Sequence, residues 1–178
     1  MNKANSLTLG GIALLIAGIV MFTAERIGIG TAKFLIPLLF IASGIFSLIF
    51  SNTNPQTKKI SQYHIIHGIG LILSGVLLGL LPKSLADFLR YATYFILAFG
   101  LLEIIIGFAL ANSGSRIDWK HLILRFSGGF LGIIGAVLIL ATAASDKGSA
   151  LMITGFATAL IGINSIIFST KTHKLLAA

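Results

Sequence analysis

Few residues in this chain have side chains able to do chemistry. Among 178 residues there are 5 acids, 13 lysines and arginines, 4 histidines and no cysteine. One acid, Glu103, lies in the middle of "YFILAFGLLEIIIGFAL" (94–110), a stretch apolar almost throughout. An ionised carboxylate is costly in such surroundings, so it must face protein, find a partner, and mark a functional pathway by default. Folding the segment back on the preceding one about a turn near residue 85 sets Glu103 level with His67. His64 and Ser74 share the His67 face at spacings of three and seven. A Glu103–His67 pair would change charge as pH falls, because imidazole titrates near neutrality and a buried carboxyl responds to nearby cations. The alternative is a protonated Glu103 that hydrogen-bonds a backbone carbonyl or serine and locks the surrounding helices.

Other chemistries find little support. Thr154, Thr158, Ser165 and Ser169 line one face of the last apolar segment, with Asn164 beside them. Such groups serve to hold helices together. His64 and His67 have no carboxylate at metal-ligand spacing, and without cysteine there are no disulfides, thiolate metal sites or thiol catalysis. "GIGTAK" (28–33) resembles half a phosphate loop, but the later Gly-Lys-Ser/Thr is missing and no strand precedes it. Neither a Ser-His-Asp set nor paired carboxylates can be found. The expectation is a chain with no catalytic residues, no metal and no cofactor.

The elements that must position these residues are clear. The chain is 56% hydrophobic and 10% charged, with a mean hydropathy of +1.01. A soluble domain of this size carries about a quarter charged residues. Continuous apolar runs at about 7–24, 31–50, 65–81, 88–111, 122–144 and 149–169 are each long enough to cross a bilayer as a helix. They do not alternate, so a β-barrel is excluded. The fold class is an all-α integral membrane protein, one membrane domain of six transmembrane helices.

The six spans form three repeated helical hairpins, at about 7–50, 65–111 and 122–169. Gly11 and Gly18, Gly68 and Gly75, and Gly128 and Gly135 are each seven apart in the first span of a hairpin. Gly44, Gly100 and Gly162 follow 26, 25 and 27 residues after Gly18, Gly75 and Gly135, in the return spans. Span one shares the repeat, which reads it as a mature helix rather than a cleaved signal peptide. Gly75 and Gly79, and Gly128, Gly132 and Ala136, recur at spacing four. Lipid gives helices no hydrophobic reason to associate, so small residues at that spacing serve close backbone packing, within the chain or across a homo-oligomer.

The net charge of +8 lies in small groups at segment ends, which points to anionic lipid headgroups rather than nucleic acid. Trp119 reads as an interfacial anchor, and His121 with Arg125 as a place for a lipid phosphate. Lys3, Lys58, Lys59, Arg116, Lys120, Arg125, Lys171 and Lys174 fall on one side of the spans. Arg26, Lys33, Lys83, Arg90 and Lys147 fall on the other. Eight basic residues against five put both termini in the cytoplasm.

Three units of the form "GIALLIAGIVMF…IASGIFSLIF", separated by proline or polar breaks, resemble the HdeD family of bacterial six-helix membrane proteins. The likeness covers about residues 7–170, and "FGLLEIIIGFAL" resembles that family's return helix, with an ionisable residue three after a glycine. This chain departs from it at Ser47 and Ser165, which occupy the corresponding positions of the other hairpins. The resemblance implies a non-enzymatic inner-membrane protein supporting acid or envelope stress tolerance, and it brings no catalytic residues. The competing expectation is a small transporter or channel with Glu103 and the histidines as its ion path. Pro37, the one proline inside a span, has no counterpart in the other hairpins, which favours the non-transporting expectation.

The charge asymmetry yields a topology. A reporter fused at residue 178 is expected to be active in the cytoplasm, and one fused near Asp146 on the opposite side. A C-terminus outside the cytoplasm would reverse the orientation, and an odd number of spans would mean that span one is removed.

Overall fold

The computed structural model describes residues 3–53, 58–112 and 119–177. Six long helices account for the expected spans: α1 (Lys3–Phe22), α3 (Ile29–Thr53), α4 (Lys58–Leu80), α5 (Leu85–Ala111), α6 (Trp119–Thr142) and α7 (Lys147–Ala177). A one-turn helix, α2 (Ala24–Ile27), was not anticipated. It sits in the first hairpin's bend, which ends at Gly28 with a positive φ of 92°. All six long helices are long and apolar enough to cross a membrane. The chain is therefore a multi-pass, all-helical membrane protein.

Local signals set the bends. Ser84 caps α5: its Oγ accepts the Asp87 N–H at 3.1 Å, and Asp87 Oδ2 accepts the Ser84 N–H at 3.1 Å. Asp146 does the same for α7, its Oδ1 accepting the N–H groups of Gly148 (3.0 Å) and Ser149 (3.1 Å). Hydrogen bonds from the Ser149 hydroxyl and N–H hold the Asp146 carboxyl below its ordinary range. Pro37 lies inside α3 without ending it.

The hairpins close into a ring, and the closest helix pairs run between hairpins: α3 with α4, α5 with α6, and α7 with α1. The repeat glycines explain why. At each of these three seams a return-span glycine meets a glycine in the first span of the next hairpin, with the third hairpin meeting the first. A Cβ on Gly44 would lie 2.6 Å from the Gly68 carbonyl oxygen, and one on Gly68 2.9 Å from that of Gly44. Gly100 and Gly129 are related in the same way at 2.8 Å each, and Gly162 and Gly11 at 2.7 and 2.8 Å. Backbones touch where any side chain would hold them apart. Within the second hairpin α4 and α5 pack least closely of the neighbouring pairs.

The expected register holds in two hairpins and slips in the third. Gly75 is tight, a Cβ there lying 2.7 Å from the Pro37 carbonyl oxygen, whereas Gly79 only reaches Pro37 Cβ at 3.5 Å. In α6 the seam glycine is Gly129, not Gly128. A Cβ on Gly128 would instead meet Asn164 Nδ2 at 3.0 Å, and one on Gly135 would meet only Ala157 Cβ at 3.4 Å. Both therefore face α7. Gly132 does serve the α5 seam, where a Cβ on it would lie 3.2 Å from Gly100 Cα. The helical phase decides this: one residue is about 100° of rotation, enough to move a glycine from one neighbouring helix to another.

The ring's interior is divided. Away from the termini it is filled by Met21, Ile36, Leu78, Phe88, Leu89 and Ile139, each at most 1% exposed. The polar residues in this region bond their own helices: Thr93 Oγ1 donates to the Leu89 carbonyl, Ser74 Oγ to Gly70, and Thr154 Oγ1 to Ala150. The half nearer the termini is where charge is buried.

Gly129→Val is expected to separate α5 from α6 and to cost more than about 1–3 kcal/mol, because rigid backbone rather than a side chain blocks the new atoms. Gly30→Ala, where a Cβ meets nothing within 4 Å, should be neutral. Thermal aggregation in detergent checks both, and equal melting of the two variants would show that the seam does not hold the ring.

Candidate functional site

The α5–α6 seam brings two charges together. Glu103, eight residues before the end of α5, accepts a hydrogen bond from Arg125 of α6, with Nη1 to Oε2 at 2.8 Å. The two side chains are 12% and 6% exposed. The other carboxylate oxygen, Oε1, accepts the phenolic O–H of Tyr63 from α4. Three helices from two hairpins thus meet on one carboxylate. The guanidinium also stacks between aromatic rings, its carbon 4.4 Å from the Tyr63 centroid and 4.8 Å from that of Phe168 in α7. Cation–π attraction of this kind is worth about 2 kcal/mol when desolvated.

Two imidazoles flank the pair, both buried. His67 stacks on Tyr63 at 5.5 Å and lies 5.2 Å from the Phe99 ring. His64 packs edge-on against Phe50 at 4.7 Å, and Ser47 Oγ donates to its carbonyl at 3.1 Å. His64 Nε2, His67 Nδ1 and Arg125 Nε are buried with no hydrogen-bond partner among the described residues. Two cavities of about 20 Å³ each adjoin them, and Glu103, His67 and Asn164 line both.

Glu103 faces inward as its sequence context predicts, but its partner is different. Among the described residues no hydrogen bond or ion pair joins it to His67; its bonds go to Arg125 and Tyr63. The bend between α4 and α5 lies between Leu80 and Leu85, nearer the start of the chain than residue 85. That shift brings Glu103 level with residues 62–63 instead of 67. Arg125 is likewise not a lipid-phosphate ligand, being 5% exposed and committed to Glu103. The side chains of Lys120 and His121 lie outside the described residues, as do residues 113–118 of the loop carrying Arg116 and Asp118.

The remaining polar candidates divide. Asn164 and Ser165 stand at the cluster, Ser165 Oγ donating to Ile161 O at 3.0 Å. Ser74 and Thr158 do not join it: Ser74 Oγ donates to Gly70 O at 2.7 Å and Thr158 Oγ1 to Thr154 O at 2.8 Å. Tyr63 and Arg125 were missed as site residues, though the sequence held a signal for each. Arg125 falls inside the 122–144 apolar run rather than before it, and an intramembrane cation needs a counter-charge. Tyr63 is one turn from His67 on the same face. Among the described residues no three of His, Asp or Glu converge as a metal set.

The cluster occupies one position of the threefold repeat. Glu103 is three residues after Gly100, and Arg125 four before Gly129. At the α3–α4 seam the same offsets give Ser47 and His64, which are also in contact, Ser47 Oγ lying 3.4 Å from His64 Nδ1. At the α7–α1 seam they give Ser165 and Leu7, and the polar contact moves to Thr8 and Ser169, whose hydroxyls are 2.8 Å apart. One geometric slot has been filled by a charge pair, a hydroxyl–imidazole pair and an apolar residue. No protein-family model, curated protein or solved structure matches the chain.

A buried charge left alone costs far more than the pair as a unit is worth. Glu103→Gln or Arg125→Met alone is therefore expected to destabilise by about 3–5 kcal/mol, and the double variant by clearly less than their sum. Detergent melting of the four proteins tests this. Strictly additive losses would mean that the two side chains are not coupled. Tyr63→Phe should cost about 1.5–3 kcal/mol, the range for a hydrogen bond to a charged group.

Proposed function

We propose that the chain is a non-enzymatic protein of the bacterial inner membrane, of the HdeD type, that supports acid or envelope stress tolerance. The observation that carries this reading is the buried Glu103–Arg125–Tyr63 cluster with two imidazoles packed against it. It gives a chain without other chemistry a group of titratable side chains on one side of an apolar plug. The resemblance of the hairpin units to the HdeD module agrees with this. So does the eight-to-five charge bias, seven to five once Arg125 is taken out of the loops, which supports cytoplasmic termini.

The physical basis is electrostatic. His67 is faced by Tyr63 and His64 on α4, Glu103 and Phe99 on α5, Arg125 on α6 and Asn164 on α7. A proton gained by His67 or His64 adds a positive charge beside a guanidinium that already holds the one carboxylate present. Acidification therefore loads the cluster with unbalanced charge and strains the junction of α4, α5, α6 and α7. The tertiary packing gives the site a global readout, because three helices share one carboxylate.

The transporter or channel reading draws on Glu103, His67 and Asn164 lining common cavities. Against it stand the apolar plug and the six unbroken spans, since helices interrupted at matched positions mark transport sites.

Two measurements separate the readings. His67→Gln and His64→Gln should lower survival of acid-stressed cells at matched membrane abundance while leaving growth at neutral pH unchanged. Wild-type survival in both variants would remove the acid role. Proteoliposomes of the purified protein are expected to show no proton flux under a pH gradient. Flux abolished by His67→Gln would establish the transporting alternative.

A further inference from the structure

The two cavities at the cluster point beyond the ion pair, and independently of any role in acid tolerance. Each has a volume of about 20 Å³. A water molecule needs roughly 10–15 Å³ of such space and two to four polar partners. The partners converge: Glu103, His67 and Asn164 line both cavities, and Arg125 and His64 line the second. Three buried polar atoms of these residues, His67 Nδ1, His64 Nε2 and Arg125 Nε, have no hydrogen-bond partner among the described residues. Leaving such groups unsatisfied is unfavourable, the more so for a charged one. A dry, apolar cavity of this size would have no such lining.

We infer that each cavity is a built site for one internal water, and that Asn164 anchors both, so that Glu103 and His67 are joined through water. The contact that the sequence suggests between carboxylate and imidazole is thus made at one remove, with the direct bonds of Glu103 reserved for Arg125 and Tyr63. The carboxamide suits the task because it offers both donors and an acceptor. It also accounts for Gly128, whose Cβ would lie 3.0 Å from Asn164 Nδ2 and displace it. The hydrated path stops within the ring. Beyond His67 the first cavity is walled by Phe99, Leu160, Ile161 and Ala157, and past those the plug is apolar. Water reaches the charged cluster without crossing the protein.

Hydroxyl-radical footprinting of the purified protein equilibrated in ¹⁸O-water tests this, since radicals formed from a bound water oxidise the buried ring beside it. Phe99 (7% exposed) lines the first cavity and Tyr63 (4%) the second, whereas Phe88 (1%) is buried in the apolar interior and lines neither. Phe99 and Tyr63 are expected to take up ¹⁸O several-fold faster than Phe88, and Asn164→Leu to bring Phe99 down to the Phe88 level while exposed Trp119 stays unchanged. The wild-type protein alone decides the main point. Uptake at Phe99 and Tyr63 no greater than at Phe88 overturns the inference, whatever the variant does. Retained uptake in a folded Asn164→Leu protein would remove Asn164 as the anchor.

Discussion

The contact between Gly100 and Gly129 is the constraint on which the rest of the site depends. In a bilayer, apolar side chains gain nothing by leaving lipid for protein, so helices stay together where their backbones can approach. A methyl group on either glycine would collide with the other's carbonyl oxygen at 2.8 Å. With α5 and α6 locked at that point, the residue three after one glycine and the residue four before the other face each other across the seam. Glu103 and Arg125 occupy those places. The ion pair is thus a consequence of close packing, and the same packing at the other seams sets Ser47 against His64 and closes the ring through α7 and α1.

Burying that pair brings energetic obligations. A guanidinium cannot shed its proton, so its charge must be met where it stands. One Glu103 oxygen meets it, the other takes the Tyr63 hydroxyl, and the rings of Tyr63 and Phe168 cover the guanidinium faces. A buried ion pair contributes little net stability against an apolar replacement, but it penalises every arrangement that parts the two charges. Here such arrangements include any sliding of α6 along α5 and any rotation of α4 that withdraws Tyr63. The cluster fixes register where the second hairpin, with its loosely packed α4 and α5, has little else to fix it.

The division of the interior follows from the same economy of polar groups. The hydroxyls of Ser74, Thr93 and Thr154, in the half away from the termini, bond back to carbonyls of their own helices. Large apolar side chains then fill the space between helices. In the other half, imidazole and guanidinium nitrogens cannot be satisfied within their own helices, and small cavities form beside them. Among the described residues, the buried imidazoles and the buried ion pair lie together at one end of the ring.

Composition and apolar run length by themselves determined that this chain crosses a membrane six times, because hydrocarbon thickness and backbone hydrogen bonding leave no other outcome for such segments. The repeated glycines determined the three hairpins, and the cost of a carboxylate in hydrocarbon determined that Glu103 must face inward. Its partner was decided by tertiary structure alone. A shift of a few residues in the bend exchanges His67 for Tyr63, and bend positions are the least constrained part of an apolar pattern. Arg125 reads as a loop cation until the α5–α6 seam draws it inside. The exchange of Gly128 for Gly129 has the same origin, since a one-residue offset leaves the apolar pattern of a span intact yet turns the helix by about 100°. Sequence fixes how much of each residue type a span contains. Which neighbour each residue meets depends on helix phase and depth, and those are set only when the seams close.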